Sequence, residues 1–153
     1  MEKLKLRVPP PLVFVGFAVL MWLVALVLPG NINLHGTETA FLVIGLGAGG
    51  YFSFTGFFEF RRARTTINPF HPEETTALVS GGIYSKTRNP MYLGLQIILL
   101  GWAIFLGNLF AIPVALGFAV YITEFQIKPE EEILEENFGK EFLAYKARVR
   151  RWI

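Results

Sequence analysis

The stretch LVFVGFAVLMWLVALVL, Leu12–Leu28, carries no charged and no polar side chain. A helix needs roughly 20 apolar residues, in a range of about 17–25, to cross the hydrocarbon core of a bilayer. Leu12–Leu28 meets that requirement, and so does a second uncharged run, Ala40–Phe58. Two shorter runs follow. They are Met91–Leu106 and Leu109–Val120, the latter extendable to Phe125, and only Gly107 and Asn108 separate them. So small a gap predicts a tight helical hairpin. Composition agrees: 53% of the chain is hydrophobic and 17% charged, against about 25% charged in soluble domains. Four such helices buried in a soluble bundle would need more polar sequence to cover them than the chain has. Lys3, Lys5 and Arg7 before the first run imitate a secretory signal. The run is long, however, and no small-x-small cleavage site follows it, so a retained span is expected.

The reading is therefore all-α, a polytopic integral membrane protein with about four transmembrane helices, near 12–28, 40–60, 91–106 and 109–125. A loop over 61–90 and a C-terminal helix over 129–152 complete one domain. Lys and Arg set the orientation. The chain has 14 of them. Lys3, Lys5 and Arg7 precede span one. Arg61, Arg62, Arg64, Lys86 and Arg88 follow span two. Lys128, Lys140, Lys146, Arg148, Arg150 and Arg151 follow span four. The connections after spans one and three carry none, so an even number of spans puts every cation on one side. That side is cytoplasmic, with both termini on it, and a prokaryotic inner (cytoplasmic) membrane is the expected location. The bilayer is the expected partner, and no nucleic acid is.

Several chemistries are excluded or weakened. There is no Cys and no Asp, and there are two His. This removes thiolate chemistry and disulfides and leaves little for a metal site, so none is expected. Gly45-Leu46-Gly47-Ala48-Gly49-Gly50 matches G-x-G-x-x-G, but a dinucleotide fingerprint needs a strand before it and a βαβ unit around it. Inside an apolar span, Gly45 and Gly49 read instead as a small-xxx-small pair that lets a neighbouring helix approach, within the chain or in a dimer.

The polar residues form two blocks. The loop has turn signals at Asn68-Pro69, His71-Pro72, Gly81-Gly82 and Asn89-Pro90, with room for a short helix near Pro72–Val79. In the tail, Pro129 suits a first helical turn. Glu130, Glu131, Glu132, Glu135 and Glu136 come early and the cations late, as the helix dipole favours. Leu134, Phe138, Phe142, Tyr145, Val149 and Trp152 make one apolar face, with a possible bend at Gly139. Such a helix also suits a membrane surface. Glu59 and Glu124, near the inner ends of spans, read as interfacial acids bridged to nearby Arg. Asn89-Pro90 forces an extended backbone before span three, with Pro90 at its first turn. From the residues alone, this is equally a helix mouth with Tyr and Arg anchors or a place offering backbone groups to a small ligand.

Leu78-Val79-Ser80-Gly81-Gly82-Ile83-Tyr84 followed by Arg88-Asn89-Pro90-Met91-Tyr92-Leu93-Gly94 resembles the signature of the isoprenylcysteine carboxyl methyltransferase family, to which phospholipid methyltransferases are related. Its second half resembles Glu130-Glu131, Leu134, Phe138-Gly139, Tyr145, Val149 and Arg151. The resemblance covers about Thr65 to Ile153 and implies a membrane enzyme using S-adenosyl-L-methionine. The cofactor pocket would lie between the loop and the C-terminal helix. Carried over by position, the cofactor contacts would be Thr76, Ala77, Leu78, Val79, Tyr84, Asn89, Pro90, Met91, Tyr92 and Glu130. In that frame Glu130 would pair with the cofactor's ammonium, and Tyr84 or Tyr92 would face its sulfonium. The catalytic set would be Arg88, Glu131 and Arg151. A carboxylate acceptor needs no base, whereas an amine would use Glu130 or Glu131.

The expected acceptor is hydrophobic or lipid-like. Two positions depart from the family. Asn89 stands where better-known members have His, and Gln126 where the eukaryotic enzymes have a substrate-binding Arg. Arg88, Lys128, Arg150 or Arg151 would have to serve as the clamp. The alternatives are a nicotinamide-dependent membrane reductase of similar C-terminal half and a non-catalytic assembly or transport-associated protein.

Overall fold

The computed structural model describes residue 6, residues 8–63 and residues 77–153. Thr76 and most of the short helix expected near Pro72–Val79 lie outside them, and Ala77–Val79 are not helical. The described residues form helices and no strand, with one isolated bridge between Asn31 and Asn108. Six α-helices run in chain order: α1 Pro10–Val27, α2 Glu38–Ala63, α3 Pro90–Phe105, α4 Ala111–Ile122, α5 Lys128–Phe138 and α6 Lys140–Arg148. Proline occupies the first turn of α1 and of α3, where its missing N–H costs nothing.

α1, α2 and the continuous helix led by α4 are long and apolar enough to cross a membrane, while α3 is a shorter apolar helix. α3 is nonetheless the most enclosed. It lies antiparallel along α2, and the glycines of the two helices meet. A side chain at Gly49 would strike the carbonyl of Gly94, and one at Gly45 would meet Gly101 Cα at 3.1 Å. Gly47 and Gly50 face open space. The small-xxx-small pair is thus an internal contact between α2 and α3. On the other side, α1 and α4 pack on α3 around the fully buried Met21, Leu99, Phe118 and Ile122. Phe14 and Phe17 set their edges on Phe118.

The turn after α3 is tight because Gly107 takes a positive φ of 57°. Buried Asn108 ties it to the α1–α2 connection. Its Nδ2 donates to Leu28 O at 2.9 Å and its Oδ1 accepts from Phe110 N at 2.9 Å. Asn108→Ala strands both backbone groups. It should cost about 1–3 kcal/mol, read as a lower thermal midpoint in detergent micelles.

Two features of the tail differ from the single helix expected over 129–152. First, α4 does not stop before Pro129. The chain runs on through a π-helical turn, Thr123–Ile127, into α5. Proline in a helix removes the bond to the carbonyl four residues back and clashes with it, and here that carbonyl belongs to Phe125. The wider turn relieves the clash, and Leu6 N donates to Phe125 O at 3.0 Å instead. Second, Gly139, at φ 48°, separates α5 from α6. Beyond Arg148 the chain is extended and returns to the start of α3, where Arg88 N donates to Arg150 O at 3.0 Å. One end of the bundle therefore gathers Leu6 and Val8, the end of α2, residues 77–90, the start of α3, and α5 and α6.

Candidate functional site

The site is built at that end. Gly82–Ser85 form a 3-10 turn that buries Tyr84. Leu78, Val79, Phe60, Leu134, Phe138, Phe142, Tyr145 and Val149 surround it, forming a second core. The apolar face expected on the tail thus closes on the loop. Tyr145 Oη donates to Tyr84 O at 2.7 Å, and Phe60 meets the Tyr84 ring edge-on. Burial pushes both phenols well above their ordinary range, so both remain neutral. Gly82 has a positive φ, and a side chain there would collide with the Glu59 carboxylate. Glu59, read from the sequence as an interfacial acid, lies over this turn.

The polar face of α5 divides two neighbouring carboxylates. From Lys128 onward the long helix is crowded with charge, so both lie beyond its apolar part. Glu131 is 7% exposed and is gripped by two guanidiniums. Arg88 Nη2 donates to its Oε1 at 2.8 Å. Arg151 donates from Nε to Oε1 at 3.0 Å and from Nη2 to Oε2 at 2.7 Å. Burial alone would raise the Glu131 carboxyl, but the Arg151 hydrogen bonds and the Arg88 and Arg151 charges outweigh it. The carboxyl is held below its ordinary value. Arg88, Glu131 and Arg151, the three expected catalytic residues, are therefore brought together, bonded to one another.

Glu130 lives differently. Its Oε1 accepts from Tyr92 Oη at 2.6 Å, and no cation contacts it among the described residues. Burial raises its carboxyl to about 7, the Tyr92 hydrogen bond partly opposes this, and the charge of Glu131 reinforces it. Tyr84 feels the charges of both Glu130 and Glu59. Glu130, Tyr92, Tyr84 and Glu59 thus make a region rich in anionic and aromatic character. It can hold a cationic ligand.

The remaining candidates have structural partners. Asn89 Nδ2 donates to Arg151 O at 2.9 Å, and Thr87 Oγ1 to the same oxygen at 3.3 Å. Pro90 is buried at the first turn of α3, and Met91 O accepts from Ser53 Oγ at 3.4 Å. Gln126 is buried on the π turn, donating to Val8 O at 2.7 Å, and its Oε1 has no partner among the described residues. Of the clamp candidates, Lys128 pairs with Glu124 at 2.5 Å and Arg150 is exposed. Thr87 carries no sequence signal as a site residue, Trp152 reads as apolar only, and Tyr145 reads as part of the apolar face and of the family signature. Trp152 Nε1 donates to Thr123 Oγ1 at 3.3 Å. No spacing signals these contacts, because each depends on the tail folding back.

The model of the family described as phospholipid methyltransferase matches residues 37–141, well over half of the chain. The chain belongs to the phospholipid methyltransferase family. These are membrane methyltransferases, and the helical bundle with its apolar spans fits that family. The chain is also 33% identical, over 91 residues, to protein-S-isoprenylcysteine O-methyltransferase B of Arabidopsis thaliana. That match covers 58% of this chain and 45% of the plant protein, so it spans less than half of that relative. An uncharacterized protein of Haemophilus influenzae is 48% identical over 63 residues, which is 41% of this chain and 100% of that protein. No solved structure matches the chain.

Proposed function

We propose that the chain transfers a methyl group from S-adenosyl-L-methionine to a carboxylate or amine of a lipid-like, membrane-partitioned acceptor. The site would face the cytoplasm from a prokaryotic inner membrane, with both termini on that side. The observation that carries the reading is the contrast between the two carboxylates of α5. Glu131 is fully neutralised, while Glu130 is partly buried and bonded only to a phenol among the described residues. A carboxylate left in that state fits an ammonium ligand. Bound S-adenosyl-L-methionine would supply an electrophilic methyl on a sulfonium. Glu130 would hold its ammonium, the Tyr84 and Tyr92 rings would lie toward its positive charge, and Leu78 and Val79 would give apolar cover. Glu131, kept ionised by its guanidiniums, is a poor base. With Glu130 engaged by the cofactor's ammonium, an amine acceptor would have to arrive already neutral, whereas a carboxylate acceptor needs no base. The rest of catalysis would be positioning and exclusion of water.

Calorimetric titration of the purified protein with S-adenosyl-L-methionine tests this. Binding is expected, with Glu130→Ala weakening it at least ~10-fold, the scale of one charge-assisted contact. Affinity should also rise with pH through about 7, because Glu130 must lose its proton to pair with an ammonium. No binding heat from folded parent protein sinks the reading. Labelled-methyl transfer to a lipid extract then identifies the acceptor.

A further inference from the structure

We propose that Arg88 and Arg151 are positioning residues for the Glu130 carboxylate, acting by neutralising Glu131 beside it. Glu131 is next to Glu130 on α5, and its negative charge opposes ionisation of Glu130. The two guanidiniums on Glu131 offset that field. The arrangement is anchored by backbone. The carbonyl of Arg151 takes both the Thr87 hydroxyl and the Asn89 amide, while Arg88 Nη1 donates to Lys146 O at 3.1 Å. The extended tail thus straps the charge pair to the mouth of α3. An ammonium-binding carboxylate must be ionised when its ligand arrives. A neighbouring anion left uncompensated would hold it protonated.

The groups facing Glu130 and Glu131 can be named by element. α3 contributes Tyr92 to Glu130, and the 3-10 turn contributes Tyr84. From α2, Glu59 acts on Tyr84. Lys146 of α6, whose Nζ pairs with Glu135 at 3.2 Å, adds a weaker positive charge toward Glu131. No cation of the described residues contacts Glu130 itself. The balance at Glu130 is therefore set mainly through Glu131.

The importance of this balance for ligand binding rests on Glu130 as the ammonium partner, but the primary test does not. The Glu130 carboxyl is titrated by carbon-13 NMR in ligand-free protein in micelles, its signal assigned by Glu130→Gln. Arg151→Gln, which keeps donors but not charge, should raise the midpoint by roughly half a pH unit, a ~3-fold change in proton affinity. Glu131→Gln should lower it, and Arg151→Lys should leave it near the parent. A merely structural role predicts that both disruptive variants loosen the site and move the midpoint the same way. That outcome, or no movement in Arg151→Gln, overturns the proposal. If Glu131→Gln does not fold, the contrast between Gln and Lys at position 151 decides alone. Parallel titration with S-adenosyl-L-methionine separates the two readings. Diverging midpoints without cofactor binding uphold the charge clamp and sink the cofactor reading. Binding with unmoved midpoints does the reverse.

Discussion

Gly94→Leu is expected to abolish the folded bundle. A side chain at Gly94 would collide with the Gly49 carbonyl and the Ser53 hydroxyl, and would lie 3.0 Å from Ser53 N. Two of those three obstacles are backbone of α2 and cannot rotate away. α2 and α3 would have to part along the most extensive helix contact in the molecule. Overpacking of a tight core costs about 1–3 kcal/mol. With backbone as the obstacle the upper end or more is expected, enough to remove a marginally stable structure. The control is built into the same glycine run. A Cβ at Gly47 or Gly50 meets nothing within 4 Å, so Gly47→Leu and Gly50→Leu should be tolerated. Size-exclusion profiles and thermal midpoints in micelles measure both. Equal behaviour of Gly94→Leu and Gly47→Leu would show that the close approach of α2 and α3 does not hold the fold.

Glu131→Ala is expected to be the most damaging change at the site. The Arg88 side chain is 8% exposed, and its guanidinium would lose its carboxylate with little water to replace it. Removing one partner of a buried pair typically costs about 3–5 kcal/mol, because the remaining charge is left uncompensated. Arg151 would lose both of its carboxylate contacts, and the tail would then be held by the Arg150 and Arg151 carbonyls and by Trp152 on Thr123. A fall in thermal midpoint should therefore accompany faster proteolytic trimming beyond Arg148. Glu130→Ala should differ. It deletes one hydrogen bond to Tyr92 and removes a carboxyl that burial already disfavours as an anion, so stability should be largely kept while ligand affinity falls. If both variants lost the same stability, the division of labour between the two neighbouring glutamates would be refuted.

The two halves of the family motif meet at one end of the molecule, and the structure shows which of their residues touch. Tyr92 and Glu130 do meet, at 2.6 Å, across a hairpin. Asn89 is on the site's edge, but its amide serves the tail. Glu59 was legible only as an acid near a helix end, because nothing local says that a turn more than 20 residues later will fold beneath it. The π turn has a local cause in Pro129. Pro129 does sit in the first turn of α5, as the sequence indicates; that α5 continues α4, with Leu6 reaching the Phe125 carbonyl, is not legible locally.

The sequence by itself determined the helical class, the apolar spans, the hairpin at Gly107-Asn108 and the sorting of every Lys and Arg to alternate connections. These follow from hydrophobic length, from proline and glycine, and from charge, all of which act locally along the chain. Only the tertiary structure decided which glycines touch, that the tail is two helices and a returning strap, and that Arg88 and Arg151 close on Glu131. Those outcomes depend on residues as far apart as Leu6 and Phe125, or Arg88 and Arg151. Such pairs meet because a buried charge or carbonyl must find a partner, and the partner's position in the chain is free.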